Sequence, residues 1–265
     1  MARTKEIKFF SRPGWRRKLN AYEAHFAESN GELWRGESTP GYFWTPSESE
    51  YYSAAFKRTS DIAGAVKETL GAETPLLLSL RHPVDRAISA FYHHFRYDRI
   101  EAHESILEAG KRHGIIDQGF YKRQYEAWTK HFPASQIHVC FFDDIYQRPE
   151  VVWEGLCRFL NIDVVPLAQT DQKDNVGLKL ALHDGVISVD YFADAKPNRR
   201  FARLRDAGMK AGSAEKVSPV VTRQEAEHLH SLYSEDIAFT MSELGGAHLD
   251  WDQTLCRQFG AIADD

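Results

Sequence analysis

The chain has 265 residues, with 33 Lys and Arg against 38 Asp and Glu, so its formal net charge is −5. An acidic chain does not bind nucleic acid through overall charge, and any anion site must therefore be a local basic patch. The length and the hydrophobic fraction of 43% are those of one globular domain, which we expect to span residues 1–265.

The cysteines and the N-terminus bear on the cellular compartment. Cys140, Cys157 and Cys256 are odd in number and surrounded by apolar residues, which predicts free, mostly buried thiols in a reducing compartment. No apolar run approaches the ~18 residues that a membrane span needs. The start of the chain also lacks the apolar core of a signal peptide. We therefore expect a cytoplasmic protein, provided that Met1 is the true start; nothing in the sequence predicts an oligomeric state.

Helical patterns dominate the first third of the chain. Apolar residues recur at helical spacing over 15–26 and predict a helix. "ELWRGEST" (32–39) reads as a short strand that runs into a polar turn. "TPSE" combines a capping Thr45 with Pro at the first helical position, which predicts the start of another helix. A further helix is expected after a cap at Thr59 or Ser60.

Two strand–helix pairs are predicted in the middle of the chain. "LLLSL" (76–80) is an apolar run too short for a helix, and it predicts a fully buried strand of a parallel sheet. Helical spacing over 84–95 predicts a helix directly after it. "QIHVCFFDDI" (136–145) predicts the next buried strand, with amphipathic helices over 118–132 before it and 149–160 after it.

The C-terminal third begins with a polar, poorly periodic region over 161–220. Thr222 and Glu225 then form a capping box, which predicts one long helix that continues to Leu244 and ends at Gly245. The alternation of short strands and amphipathic helices along the chain is typical of an α/β domain.

An anion-binding pair is predicted where the strand 76–80 ends. Ligands of open α/β sheets bind at the carboxyl ends of the strands, and Arg81 follows the strand directly. Its guanidinium suits phosphate or sulfate, and the hydroxyl of Ser89, about two turns into the next helix, would add a donor. From the chemistry alone it is equally consistent that Arg81 pairs with Asp85 and that Ser89 bonds its own helix.

The stretch "LLLSLRHPVDRAISAFYHHFR" resembles the 3′-phosphate-binding segment of the sulfotransferases that use 3′-phosphoadenosine 5′-phosphosulfate (PAPS). In that family a strand ends in Arg-x-Pro-x-x-Arg and a Ser follows on the helix; the matching residues here are Arg81, Arg86 and Ser89. Three further segments follow in the same order as in the family: the one around Tyr121, the acids after the second strand, and the closing helix. The resemblance is weakest over 161–220 and leans towards the carbohydrate-modifying and bacterial branch.

This resemblance implies a P-loop-NTPase-like parallel sheet flanked by helices. It also implies an enzyme that transfers a sulfuryl group from PAPS, its co-substrate, to a hydroxyl or amine, with a carbohydrate as the favoured acceptor and no metal. Arg81 and Ser89 would hold the 3′-phosphate, and Tyr121 would belong to the same nucleotide site. The expected partners are PAPS, its product PAP and a small-molecule or glycan acceptor, not nucleic acid.

The resemblance also explains the opening "KEIKFF". In the family a segment of this form carries the proposed general base, which would be Glu6 here. "GESTPGYF" resembles the family's acceptor-cleft strand and turn and would bring Glu37 and Tyr42 near the acceptor. The family's usual Lys in that segment is Ser38 here, so one contact to the transferred group is absent or comes from another residue.

Other interpretations of Glu6, and other candidates for the base, stay open. A glutamate between Lys5 and Lys8 is most often a solvated charge, and only the order of the motifs favours a catalytic Glu6. His93 and His94 are also candidate bases, although two histidines on a helix surface are the more common arrangement.

The family's phosphate loop, of the form Lys-x-Gly-Thr after a first strand, is expected before "KEIKFF", but only "MART" stands there. We therefore expect the first central strand to be missing, the strand 76–80 to lack a partner on one side, and Met1 to be internal to a longer chain. "KAGS" from Lys210 fits the loop only superficially, because no apolar strand precedes it. The basic segment 196–216, which includes Lys210, is predicted to cover the nucleotide; holding an anionic acceptor, or forming a solvated loop, are the alternatives.

Two other functions remain possible from the sequence. A non-catalytic relative that binds PAP or a glycan would fit the missing phosphate loop. A kinase-like phosphotransferase is disfavoured because the chain has no Gly-x-x-x-x-Gly-Lys-(Ser/Thr) motif.

Overall fold

The computed structural model describes residues 1–46, 59–167, 178–190 and 218–262. The helix predicted to start at Thr45 lies almost wholly outside these ranges. The basic segment 196–216, with Lys210, lies outside them entirely.

Helices surround a pair of parallel strands, which confirms the α/β class. Strand β1 (Leu76–Leu80) pairs in parallel with β2 (Ile137–Phe141), with Leu78 opposite Val139. Parallel neighbours need a long crossover, and helices occupy it here. The α-helices of the described chain are α1 (Leu19–Glu23), α2 (Ile62–Leu70), α3 (Pro83–Arg96), α4 (Ile106–Ala109), α5 (Tyr121–Thr129), α6 (Phe142–Gln147), α7 (Pro149–Phe159), α8 (Arg223–Leu232) and α9 (Ser234–Glu243).

Helix α3 is the centre of the main hydrophobic core. Its apolar residues recur every three or four positions, so one face of the helix packs on β1 and on the C-terminal helices. Full burial of each large side chain on that face contributes about 1.5–3 kcal/mol. The residues of this face are at most 1% exposed: Val84, Ala87, Ile88, Phe91, Tyr92 and Phe95.

The prediction of a fully buried strand is wrong for three of its five residues. Leu78 and Leu80 are buried, whereas Leu77 is 55% exposed and Ser79 is also exposed. Among the described residues β1 pairs with β2 alone, and β1 borders a cavity. An apolar run is therefore not evidence that both faces of a strand are covered.

Two local predictions before β1 are corrected by the structure. No strand forms over 32–39; the N–H groups of Ala2 and Glu6 donate to the carbonyls of Gly36 and Ser38, at 2.8 and 3.1 Å, without forming a continuous ladder. Helix α2 is capped by neither Thr59 nor Ser60. The Asp61 carboxylate caps it instead, accepting from Gly64 N at 2.8 Å.

The C-terminal helix begins as predicted but is not continuous. The capping box forms: Glu225 N donates to Thr222 Oγ1 at 3.2 Å, and Thr222 N donates to Glu225 Oε2 at 2.8 Å. The helix then breaks at Tyr233, between α8 and α9. The break accompanies full burial of this ring, whose hydroxyl donates to Ile116 O at 2.8 Å.

A β-hairpin lies within the region that lacked periodicity. Its turn is Asp184-Gly185, both with positive φ, a dipeptide typical of two-residue hairpin turns. The thiols of Cys157 and Cys256 are buried, that of Cys140 is half-buried, and all three are free, as predicted. The remaining strands are all antiparallel: β3 (Leu180–His183), β4 (Val186–Val189) and β5 (Val221–Thr222) in one sheet, and β6 (Thr254–Cys256) with β7 (Gly260–Ala261) in another.

Candidate active site

A cavity of about 1590 Å³ lies beside β1 and the first half of α3. Its wall is completed by the N-terminal segment 6–11 and by residues 34–44. Six of the seven predicted site residues line it: Glu6, Glu37, Tyr42, Arg81, Ser89 and Tyr121. The seventh, Lys210, lies outside the described residues. The fold thus brings segments from three distant parts of the sequence to one cavity.

Arg81 lies at the carboxyl end of β1, where the topology predicts an anion site. Its guanidinium stands over the ring of Phe142 at 5.0 Å, and its Nη2 is 4.0 Å from Asp85 Oδ1. That carboxylate oxygen also accepts from Arg257 N at 3.1 Å. Because the ion pair is long and its acceptor is shared, Arg81 keeps donors available to an anion in the cavity.

Ser89 is exposed to the same cavity, two turns along α3. Within the described part of the chain its hydroxyl has no hydrogen-bond partner, so it does not bond its own helix. Of the two local contacts that the alternative interpretation predicted, only the ion pair between Arg81 and Asp85 forms, and it is long.

Tyr121 contributes to the site through Arg81. Its side chain is 2% exposed, and its hydroxyl donates to the carbonyl of Arg81 at 2.7 Å. Burial raises the pKa of this phenol to about 12, so it remains a hydrogen-bond donor. Tyr121 thereby fixes the backbone from which Arg81 reaches the cavity; direct contact with a nucleotide stays a prediction.

Glu6 stands at the cavity edge on a backbone with φ of 53°, a left-handed conformation that is rare for a glutamate. Its carboxylate pairs with Lys8 Nζ at 3.1 Å, and 52% of the side chain is exposed. The apolar residues of the same segment anchor it, because Phe9 and Phe10 are buried in a second hydrophobic core, where their rings pack against Trp15 and Tyr22. Strained backbone at an anchored segment is typical of functional positions.

Glu37 forms hydrogen bonds with the turn that follows it in the sequence, and that turn contacts the N-terminal segment. Its carboxylate accepts from Thr39 Oγ1 at 2.9 Å and from the Tyr42 hydroxyl at 3.1 Å. The Tyr42 hydroxyl in turn accepts from Phe10 N at 3.3 Å. Burial, and then the charge of Glu37, raise the pKa of Tyr42. These bonds hold the segment that carries Glu6 against the cavity.

A cluster of imidazoles at the cavity wall was not predicted from the sequence. His94 and His113 stack with ring centres 4.5 Å apart, and His93 meets His94 edge-on at 5.5 Å. Arg99 Nη1 lies 3.2 Å from His94 Nδ1. His113 is far from the others in the sequence, and no spacing rule joins it to them. We refer to His93, His94, His113 and Arg99 as the histidine cluster.

The histidine cluster should make the fold sensitive to acid. Burial, followed by the charges of His113 and Arg99, lowers the pKa of His94 to about 3, against 6.5 for a free imidazole. Below pH 6.5 the unfolded chain therefore binds a proton that the folded chain refuses, so the free energy of unfolding falls. Between pH 7 and pH 5, His94→Gln should lose less stability in urea unfolding than the parent chain does. An equal loss in both proteins would contradict this assignment.

Neither a metal centre nor a membrane span is found in the parts of the chain that the structure describes. No group of three or more His, Cys, Asp or Glu residues there is arranged to hold a metal ion. None of the helices in those ranges is long and apolar enough to cross a bilayer.

A family model of the sulfotransferase domain matches residues 67–176. This range runs from α2 to beyond α7, and it contains Arg81, Ser89 and Tyr121 but not Glu6 or Glu37. The match therefore covers the predicted nucleotide side of the cavity and leaves its predicted acceptor side outside.

Two curated relatives and one solved structure are similar to this chain. Heparan sulfate glucosamine 3-O-sulfotransferase 5 of Homo sapiens and that of Mus musculus are each 23% identical over 137 residues, covering 48% of this chain. The chain spans only 35% of the length of these relatives. A sulfotransferase from Alicyclobacillus acidocaldarius matches with a TM-score of 0.50 and 22% identity, over 66% of this chain and 75% of that one, and shows a shared fold. Residues 67–176 are thus similar to a sulfotransferase domain, and the chain shares its fold with a solved sulfotransferase.

Proposed function

We propose that this protein transfers a sulfuryl group from PAPS to a hydroxyl or amine, with a carbohydrate as the favoured acceptor. The observation that carries the proposal is that Arg81, Ser89 and Glu6 line a single cavity although they come from separate parts of the chain. A cation stands at the carboxyl end of β1, a free hydroxyl lies two turns along α3, and a carboxylate stands at the cavity edge. This is the arrangement that transfer from an anionic donor to a protonated acceptor requires.

Arg81 and Ser89 would bind the 3′-phosphate of PAPS and fix the donor in the cavity. The acceptor oxygen would attack sulfur in line, forming a new S–O bond while the bond from sulfur to the 5′-phosphate oxygen breaks. The acceptor proton would pass to the carboxylate of Glu6, and PAP would leave with the bonding electrons. Positioning and charge stabilisation supply most of the catalysis in related phosphoryl transfers, and we expect the same here.

A carbohydrate acceptor is supported by the two similar relatives, which are heparan sulfate glucosamine 3-O-sulfotransferases. Glu37 and Tyr42 would line the acceptor side through their shared hydrogen bond.

Ser38 stands where the resemblance expects a Lys, and this difference favours a second candidate function. In that candidate the protein binds PAP or a glycan and transfers nothing.

The test is transfer of labelled sulfate from PAPS to a panel of glycans by the 265-residue chain, with PAP binding measured in parallel by calorimetry. Labelled product supports the enzyme. PAP binding without any product would favour the non-catalytic relative. Absence of both would show that the proposal is wrong.

A further inference from the structure

Arg99 is a cation that faces the cavity without a carboxylate partner among the described residues. Its guanidinium contacts a neutral imidazole, His94, and the ring of Tyr97 at 5.5 Å. Lys8, another cation of the cavity, is paired with Glu6. Arg99 is exposed, so its position on the wall comes from these two contacts and not from burial.

The contact with His94 fixes where that ring carries its proton. A guanidinium can only donate, so His94 Nδ1 must accept from Arg99. The neutral ring therefore has its N–H on Nε2 and offers a donor of its own. Burial lowers the pKa of His93, His94 and His113 alike, so at neutral pH the rings add no positive charge to that of Arg99.

We propose that the histidine cluster is a binding subsite for an oxyanion, a carboxylate or a sulfate, carried by the acceptor. The planar fork of Arg99 matches either group, and the Nε2–H of His94 would add a further donor. The identification of the bound molecule as the acceptor rests on the proposed function. The binding of the oxyanion does not.

The position of the cluster relates it to the candidate base. His93 lies one helical turn after Ser89, on the same face of α3, and both line the cavity. The charges of Glu6 and Lys8 are close enough to His93 to act on its pKa. An acceptor anchored by its anionic group at Arg99 would therefore present a neighbouring hydroxyl towards Glu6. The subsite would select acceptors that carry an anionic group near the reacting hydroxyl.

The experiment is calorimetric binding of three disaccharides of equal size in the presence of PAP. One contains a uronic acid, one carries a sulfate and one is neutral. In the parent chain the two anionic sugars should bind more tightly than the neutral one. Arg99→Gln should weaken only the anionic sugars, by roughly threefold to tenfold for a partly exposed charged contact. Arg17→Gln is the matched control, because Arg17 is exposed and does not line the cavity.

The outcomes separate this inference from the proposed function. His94→Asn, which keeps an acceptor for Arg99, should retain more of the preference than His94→Leu. If only one of the two anionic sugars is preferred, the subsite takes that oxyanion. Equal binding of all three sugars, no sugar binding, or an unchanged preference in Arg99→Gln would overturn the inference. If PAP binds and sulfate is transferred, each of these results leaves the proposed enzyme function intact. If instead PAP does not bind and no sulfate is transferred, but the anionic sugars are still preferred, the proposed function is wrong and the subsite stands.

Discussion

Glu6→Gln should lower the rate of sulfate transfer by about 10²–10⁴-fold, the range expected for loss of a general base. The amide keeps the shape of the side chain but cannot take the acceptor proton. Because Glu6 is half exposed and its main polar contact is Lys8, the substitution should leave the fold and PAP affinity unchanged. Single-turnover transfer at saturating PAPS measures the effect without a contribution from product release.

Glu28→Gln is the control for Glu6, since Glu28 is a more exposed glutamate that also pairs with a basic residue but lies outside the cavity. It should transfer sulfate at the parent rate. A Glu6→Gln protein that keeps the parent rate would show that another group is the base. A loss seen instead in His93→Gln would assign that role to the imidazole.

Arg81→Gln should weaken PAP binding by roughly 10- to 100-fold, because hydrogen bonds to charged groups are worth about 1.5–3 kcal/mol. The loss should be confined to ligands with a 3′-phosphate. The parent chain should therefore bind PAP more tightly than adenosine 5′-monophosphate, and Arg81→Gln should remove most of that difference. Arg81→Lys should fall between the two, since it keeps the charge and loses the bidentate fork.

Arg158→Gln is the control for Arg81, because Arg158 is an exposed arginine on α7, away from the cavity. It should bind both nucleotides as the parent does. If Arg81→Gln weakens PAP and adenosine 5′-monophosphate equally, Arg81 does not contact the 3′-phosphate. In that case the Asp85 pair would be its main role.

The sequence predicted the strands and helices that carry strong local signals. β1, α3 and β2 could be placed because a short apolar run and a helical period leave few alternatives. The capping box at Thr222 could be predicted because Thr and Glu three residues apart form a local motif. The break at Tyr233 was not predicted; it occurs at a buried ring whose hydroxyl donates to Ile116 O, far away in the chain, and no local pattern indicates such a contact. The β3–β4 hairpin was missed although Asp184-Gly185 is a turn signal, because its strands are short.

The candidate site was predictable where one contiguous motif carries it. Arg81 and Ser89 lie within a single strand–helix unit, so their spacing in the sequence fixes their spacing in space. The link between Glu6 and this unit came from the resemblance, and the structure adds that both line one cavity. The contact between Arg99, His94 and His113 depends on how the loop after α4 returns to α3, which no local pattern specifies.

The hydrogen bonds around Tyr121 bear on where a self-sufficient folding unit ends. Tyr121 supports Arg81, and the next amide of the same helix, Lys122 N, donates to Asp236 Oδ1 at 2.9 Å. Asp236 belongs to α9, well beyond the matched range 67–176. A protein trimmed to that range would keep Tyr121 and Arg81 but would leave the start of α5 without the Asp236 carboxylate that accepts from Lys122 N. We therefore expect a unit that folds on its own to include α9, and excision experiments should respect that boundary.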